Sequence, residues 1–355
     1  MTKNKTKVIR IGAVSIGGGN PVAIQSMTKT DTRDVEATVA QIMALAACGC
    51  EIARVAVPDM AAAEAIREIR RRVPAEIPIV ADVHFDYRIA LAAIENGADK
   101  LRINPGNIGG PDRLRPVAEA AKRRGIPIRV GVNSGSLERD IYEKHGGVTP
   151  EGLAESALRG VGMLEDFDFG DIVVSIKSSD VPLCVKAYEL LARRTAYPLH
   201  IGITEAGTEF SGAIKSAVGL GSLLLRGIGD TLRVSLTGDP LPEVRCAKEI
   251  LRAAGLRRFG VEVVSCPTCG RTGINVEKIA AEIEKRCAGI EKSLKVAVMG
   301  CVVNGPGEAK DADVGVAGGD GAGALFSGGK ILRTLPEEEI ADALMKEIMT
   351  MENQR

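Results

Sequence analysis

The alternation of short apolar strands with helices constrains the fold more than any other feature of this sequence. Apolar runs predict strands at 22–27, 52–57, 77–84, 100–104, 126–133, 171–177, 199–205 and 231–236. Ala- and Leu-rich segments with helical spacing separate them, as at 35–47, 61–72 and 114–124. Eight such units predict a (β/α)8 TIM barrel, which we place at 1–255. An open doubly wound sheet is the alternative, but no G-x-G-x-x-G motif follows the first strand.

Polar side chains interrupt these strands, mostly near their predicted carboxyl ends, where barrel active sites lie. The candidate site residues are Arg54, Asp82, His84, Arg102, Asn104, Arg129, Asn133, Lys177, Glu205, Arg233 and Ser235. A single such charge is most simply a strand-end residue facing solvent. Because the pattern recurs on seven strands, we expect these residues to line the barrel mouth, where buried charge requires a compensating ligand.

The surplus of charge among these residues is positive. The cations outnumber Asp82 and Glu205 and predict an anionic substrate, and several arginines suit a diphosphate. Glu205 is the candidate acid or base, and Asp82 with His84 forms a polar wall or a proton relay. His145 and His200 are interpreted as structural.

Cysteines mark a second region, a small α+β domain predicted at 256–355. Cys266 and Cys269 form a C-x-x-C turn, and Cys301 returns after a predicted helix and strand. A zinc site needs a fourth ligand, yet no histidine lies here and Cys287 sits on the charged helix. Buried thiols or a redox pair remain alternatives. An iron-sulfur cluster fits the three cysteines, with Glu308 as a possible non-cysteine ligand.

Overall composition excludes several classes of function. Lys plus Arg and Asp plus Glu number 46 each, and Trp is absent, so neither a basic field nor an aromatic platform indicates nucleic-acid binding. Residues 1–10 lack the apolar run of a signal peptide, and no segment is long and apolar enough to span a membrane. We therefore expect a cytoplasmic protein, in which eight cysteines do not form a disulfide framework.

Four motifs together resemble one enzyme family over essentially the whole chain. They are LRINPGN at 101–107, GVNSGSL at 131–137, SCPTCGRT at 265–272 and GCVVNGPGE at 300–308. In this combination they resemble the 4-hydroxy-3-methylbut-2-enyl diphosphate synthases.

The resemblance implies the two-electron reductive ring opening of 2-C-methyl-D-erythritol 2,4-cyclodiphosphate in isoprenoid biosynthesis. It implies a 4Fe-4S cluster held by Cys266, Cys269, Cys301 and Glu308, with Glu205 as the acid or base and the basic residues around the diphosphate. It also implies flavodoxin or ferredoxin as the electron donor. Finally, it implies a homodimer in which the cluster domain of one chain caps the barrel of the other, although the sequence equally allows closure within one chain.

The sequence is also compatible with two other classes of function. A regulatory module would use the cluster to sense oxygen or iron, although no basic nucleic-acid patch supports it. A barrel aldolase or synthase would instead form a Schiff base on Lys177, with a structural metal.

Overall fold

The computed structural model describes residues 5–301 and 311–353. The chain divides into two compact units, Met1–Arg257 and Arg258–Arg355.

The first unit is a parallel eight-stranded barrel preceded by a hairpin, which confirms the predicted (β/α)8 architecture. The hairpin consists of β1 (Ile9–Ile11) and β2 (Val14–Ile16). The barrel strands are β3 (Ala23–Met27), β4 (Ile52–Ala56), β5 (Ile79–Asp82), β6 (Lys100–Ile103), β7 (Ile128–Asn133), β8 (Ile172–Lys177), β9 (His200–Ile201) and β10 (Thr231–Leu232). Neighbours run in the order β8-β7-β6-β5-β4-β3-β10-β9, and a parallel bridge between Val174 and Leu199 brings the two ends of this order together.

Helices follow the strands and cover the barrel. They are α1 (Val35–Ala47), α2 (Met60–Arg72), α3 (Tyr87–Glu95), α4 (Pro111–Arg124), α5 (Arg139–His145), α6 (Pro150–Glu165), α7 (Val181–Ala192), α8 (Glu209–Leu224) and α9 (Leu241–Ala253). Side-chain oxygens cap several amino ends: Asp34, Asp59 and Asp180 accept hydrogen bonds from the backbone N–H three residues ahead. These caps fix where each loop ends and each helix begins.

The hairpin of β1 and β2 was not predicted from the sequence. Its Ile9, Ile11 and Ile16 are buried in a cluster with Ala23 and Ile52, at the amino halves of β3 and β4. The hairpin therefore packs on the amino end of the barrel, opposite to the end where a barrel active site lies.

The second unit is a mixed sheet with helices. Its elements are β11 (Val261–Ser265), α10 (Val276–Arg286), β12 (Leu294–Met299), β13 (Val314–Gly319), β14 (Ala322–Ser327), β15 (Lys330–Pro336) and α11 (Glu337–Asn353). The strands follow one another in sequence order, with β11, β12 and β13 parallel and β13, β14 and β15 antiparallel. The apolar faces of α10 and α11 pack on one side of this sheet.

Across the described ranges, no helix combines the length and the apolar character that a membrane crossing requires.

Candidate functional site

A buried ion-pair network crosses three neighbouring barrel strands. The register pairs Ala56 with Asp82 and Asp82 with Arg102, so residues of β4, β5 and β6 meet at one level of the barrel. Asp82 Oδ2 accepts from Arg54 Nη2 at 2.5 Å, and Asp82 Oδ1 accepts from Arg102 Nη1 at 3.3 Å. All three side chains are buried, so water screens their interaction only weakly. The structure thus brings three of the predicted residues into direct contact.

His84 extends this network toward the surface. Its Nδ1 lies 3.2 Å from Arg102 Nη1, and its Nε2 lies 3.4 Å from Asp82 Oδ2. Burial by itself would raise the pKa of Asp82, but Arg54, His84 and Arg102 reverse this and hold it well below its usual value. Asp82 is therefore a permanent anion that orders the cations around it, rather than a proton carrier near neutral pH.

Arg129 lies deeper than the sequence indicated. It is the second residue of β7, not near the carboxyl end of the strand, and the register pairs it with Arg102. Its side chain is completely buried, and no atom of the described chain forms a hydrogen bond with Nε, Nη1 or Nη2. Burial, followed by the charges of Arg54 and Arg102, lowers its pKa. A buried guanidinium of this kind calls for an anion or for water as its partner.

Lys100 is a further interior cation that the sequence reasoning missed. It begins β6, is fully buried, and donates from Nζ to Gln25 Oε1 at 3.3 Å. Burial, then Arg129 and Arg54, lower the pKa of this amine well below its ordinary value. The available signal was a second cation, besides Arg102, in a parallel barrel strand, because such strands are normally apolar throughout.

A small cavity brings together predicted residues from the other side of the barrel. Arg54, Lys177, Arg233 and Ser235 line it, together with His200 and Thr204. Burial, then Arg54, Arg102 and Arg129, lower the pKa of Lys177 well below its ordinary value. His200 was interpreted as structural, and its Nδ1 is 2.7 Å from Thr231 Oγ1, yet the residue also lines the cavity.

Asn104 and Asn133 have their amide oxygens engaged with neighbouring loops. Asn104 Oδ1 accepts from Gly106 N at 3.1 Å, and Asn133 Oδ1 accepts from Gly135 N at 3.3 Å. These contacts shape the loops after β6 and β7. Each amide retains its NH2 group as a donor toward a ligand.

Glu205 is not part of a strand, because β9 ends at Ile201. It lies in the following loop, is exposed, and adopts a left-handed backbone conformation with φ +51°. A non-glycine residue in this region is strained, and such strain is concentrated at functional positions. The proton-transfer role of Glu205 stays a prediction.

Gly131 makes room for one member of the network. A Cβ at this position would lie 2.6 Å from Arg102 Nε, on a neighbouring strand. That separation is far below van der Waals contact, so only glycine lets the guanidinium of Arg102 lie flat against β7. The first glycine of the GVNSGSL motif is therefore required by the packing of Arg102.

In the second unit, two adjacent loops carry the cysteines. Strands β11 and β12 are parallel neighbours, with Ser265 opposite Val298, so the loops after them leave the same edge of the sheet. Gly300 N donates to Cys266 Sγ at 3.2 Å, and Gly273 N donates to Gly300 O at 2.8 Å. Cys301 follows Gly300 directly. The structure thus tethers the C-x-x-C loop to the segment that leads into Cys301.

The thiols of these loops suit metal ligation in their chemistry. Cys269 is exposed, and hydrogen bonds from the backbone and side chain of Arg271 lower its pKa, which favours the thiolate. Cys287, in contrast, is buried with its sulfur 3.6 Å from Met345 Sδ, so it belongs to the core. Glu308, the predicted fourth ligand, lies outside the described residues. Thiolates are the ligands of iron-sulfur clusters, so the donor set fits, although residues 5–301 and 311–353 contain no converged group of three metal-ligating side chains.

Comparisons with known proteins agree with this division into two parts. Residues 6–248 match the family model described as the GcpE TIM-barrel domain, and residues 262–350 match the GcpE protein C-terminal domain. The curated relative named 4-hydroxy-3-methylbut-2-en-1-yl diphosphate synthase (flavodoxin) from Caldanaerobacter subterraneus subsp. tengcongensis is 60% identical over 98% of this chain and 97% of its own length. The protein of the same name from Geobacter sulfurreducens is 60% identical over 98% of both chains.

Among solved structures, Plasmodium falciparum HPPK-DHPS with pterin and p-hydroxybenzoate matches with a TM-score of 0.53 and 12% identity, over 71% of this chain and 49% of that one. This similarity shows the barrel fold alone. Both family models and the relatives at nearly full length establish the rest: the chain belongs to the GcpE family.

Proposed function

We propose that this protein is a 4-hydroxy-3-methylbut-2-enyl diphosphate synthase, the oxidoreductase that opens 2-C-methyl-D-erythritol 2,4-cyclodiphosphate reductively in isoprenoid biosynthesis. The relatives that carry this name align with the chain over nearly its whole length. The barrel supplies a cationic interior, and the second unit supplies thiols. These two features are the requirements of a reaction that reduces an anionic substrate.

The charge imbalance of the barrel interior is the observation that carries this proposal. The buried carboxylates Asp82 and Glu243 face a larger set of cations, whereas a third buried carboxylate, Asp230, lies just before β10 and accepts from Leu199 N and Thr6 Oγ1. That set consists of Arg54, Lys100, Arg102, Arg129, Lys177 and Arg233. A cyclic diphosphate is an anion that arginine forks bind in bidentate fashion, and it would offset the cost of burying this charge.

The reaction needs two electrons and, when the released phosphate oxygen stays an anion, one proton. A ring C–O bond breaks and leaves the diphosphate oxygen as an anion, while a hydroxyl group leaves the carbon skeleton as water. The barrel cations would bind the diphosphate before and after the ring opens, so they would stabilise the leaving oxygen without moving. Glu205, exposed on its strained loop, would hold the proton that the departing hydroxyl requires.

For the second unit, we propose a 4Fe-4S cluster held by Cys266, Cys269, Cys301 and Glu308. When bound, such a cluster supplies single electrons at low potential. The neighbouring loops after β11 and β12 support this ligand set, and a carboxylate at one corner would leave that iron more exchangeable than a thiolate would. The printed names of the relatives support flavodoxin as the electron donor, with ferredoxin as the alternative. The family resemblance supports a homodimer.

The deciding experiment is an anaerobic assay of the reconstituted holoenzyme with the cyclic diphosphate and reduced flavodoxin. We expect (E)-4-hydroxy-3-methylbut-2-enyl diphosphate, identified by product mass, only when both reductant and iron-loaded protein are present. No product with a fully loaded protein would contradict the proposal. Borohydride trapping of substrate on Lys177 would instead support the Schiff-base alternative.

A further inference from the structure

Glu243 is a buried carboxylate that none of the strand patterns reveals. It lies in the first turn of α9, on the outer layer of the barrel, yet it is only 1% exposed. Its neighbours include the cationic side chain of Arg233, the first residue after β10. A carboxylate buried to this degree needs several hydrogen-bond donors to offset its lost hydration.

The donors around Glu243 come from two parts of the barrel, the end of β3 and the segment after β10. Arg233 approaches with Nε at 3.4 Å from Oε2 and Nη2 at 3.5 Å from Oε1. Ser26 Oγ donates to Oε2 at 3.0 Å, and Leu236 N donates to Oε1 at 3.2 Å. Lys29 Nζ lies 3.1 Å from Oε1 and also donates to Leu236 O at 2.7 Å. One carboxylate therefore ties the carboxyl end of β3 to the segment after β10.

This arrangement fixes the direction of Arg233. The guanidinium of Arg233 contacts the carboxylate of Glu243. Arg233 also lines the cavity with Arg54, Lys177 and Ser235. Arg233 is largely buried, so without Glu243 its long side chain would lose the charged partner that selects one rotamer. A clamped guanidinium binds phosphate with a smaller loss of side-chain entropy than a free one.

We infer that Glu243 is a positioning residue, whose buried carboxylate aims Arg233 into the cavity so that it binds a phosphate group of the substrate. This inference rests on the proposed function, because it assigns the diphosphate as the ligand of Arg233. Glu243 itself does not touch the ligand; its effect passes through Arg233.

A double-mutant cycle on the holoenzyme tests this dependence, with inorganic diphosphate as the probe and calorimetry as the readout. We expect Glu243→Gln and Arg233→Gln each to raise the Kd about tenfold, and the double variant to bind no more weakly than Arg233→Gln alone. In turnover of the cyclic diphosphate, Glu243→Gln should raise the KM and change kcat by a smaller factor. Losses that simply multiply in the double variant would overturn the inference, as would tighter binding by Glu243→Gln.

Two further variants keep the test decisive. Glu155→Gln removes a carboxylate on α6 that pairs with Lys144 and should leave the Kd unchanged. If Glu243→Gln does not fold, Glu243→Asp retains the buried charge with a shorter reach, and the same cycle applies. A wild-type holoenzyme that binds inorganic diphosphate and turns over substrate, combined with a multiplicative cycle, rejects this inference alone. A wild-type protein that does neither rejects the proposed function.

Discussion

The barrel interior and the cysteine loops place their reactive groups on different kinds of support. In the barrel, Arg54, Asp82, Arg102 and Arg129 project from regular strands and are buried, so the strand register fixes their mutual distances. In the second unit, the cysteines follow the strands on loops, and Cys269 is exposed.

The two kinds of support become ordered in different ways. The barrel charges are close together and partly unpaired without any ligand, which is a form of preorganisation that lowers the cost of binding. The thiols lie on loops, where Cys269 is exposed and Cys266 and Cys301 are half-buried, so a bound metal would supply much of their final order. We therefore expect the two sites to respond differently to mutation.

Loss of one cysteine should remove iron from the second unit and leave ligand binding by the barrel intact. Cys269→Ser should reduce iron from about four per chain to nearly none and abolish turnover, because a cluster loses its integrity with a thiolate ligand. Inorganic diphosphate should still bind to the barrel with its Kd unchanged within about twofold, which calorimetry measures. Cys287→Ala, on the buried thiol of the same unit, is the control and should retain iron. Loss of diphosphate binding in Cys269→Ser would show that the barrel site is not preorganised on its own.

The next prediction is a loss of turnover without a change in ligand binding. Glu205→Gln should lower kcat about a hundredfold, since positioned proton transfer typically contributes this much, while iron content and the Kd for inorganic diphosphate stay constant. Glu209→Gln, in the first turn of α8 nearby in the chain, is the matched control and should be as active as wild type. Unchanged turnover in Glu205→Gln would assign its strained backbone to a structural role.

Arg129→Met tests whether the buried charge of Arg129 lowers the free energy of unfolding of the barrel. We expect the ligand-free free energy of unfolding to rise by roughly 1 kcal/mol or more, because an unpaired buried charge is replaced by an apolar side chain. The Kd for inorganic diphosphate should rise about tenfold, as expected when a charged hydrogen-bonding partner is lost. Denaturant unfolding and calorimetry give the two values. A variant that loses both stability and affinity would indicate that Arg129 is structurally paired. Arg123→Met, on the exposed face of α4, is the control.

Much of the barrel could be predicted from the sequence, because parallel strands are apolar and polar interruptions therefore stand out. Arg54, Asp82 and Arg102 were found in this way, and the structure brings them into contact. How deep each side chain lies inside the barrel was harder to predict. The position of Arg129 depends on the stagger between β6 and β7, which no single strand encodes.

Other features were missed for related reasons. Glu243 lies on a helix, so its participation follows from how α9 packs on the barrel, not from strand periodicity. The hairpin of β1 and β2 consists of strands of only three residues each, too short to give a periodic signal. Local patterns thus predicted which residue types take part, whereas contacts between distant elements decided how they are oriented.

Gly131→Ala should have a smaller effect within the same network. The new Cβ would collide with Arg102 Nε, so the guanidinium must shift and its ion pair with Asp82 must weaken. We expect the Kd for inorganic diphosphate to rise about threefold to tenfold, with iron content unchanged. Gly162→Ala on α6, where a Cβ meets nothing within 4 Å, is the control and should bind normally. Normal affinity in Gly131→Ala would show that the network tolerates displacement, contrary to a rigid barrel site.

The smallest effect is a change in proton uptake at Lys177. Its pKa is lowered in the ligand-free barrel by burial and by Arg54, Arg102 and Arg129, so part of the amine is neutral at alkaline pH. A bound phosphate favours the protonated form and raises this pKa, so binding takes up protons and affinity falls as pH rises through the lowered pKa. Calorimetry of inorganic diphosphate binding in buffers of different ionisation enthalpy measures the uptake. Lys177→Arg remains charged throughout and should take up fewer protons than wild type, by up to about one per site. The protonation of the ligand itself is common to both proteins and cancels in the difference, so equal uptake would mean that Lys177 is already fully charged among its arginine neighbours.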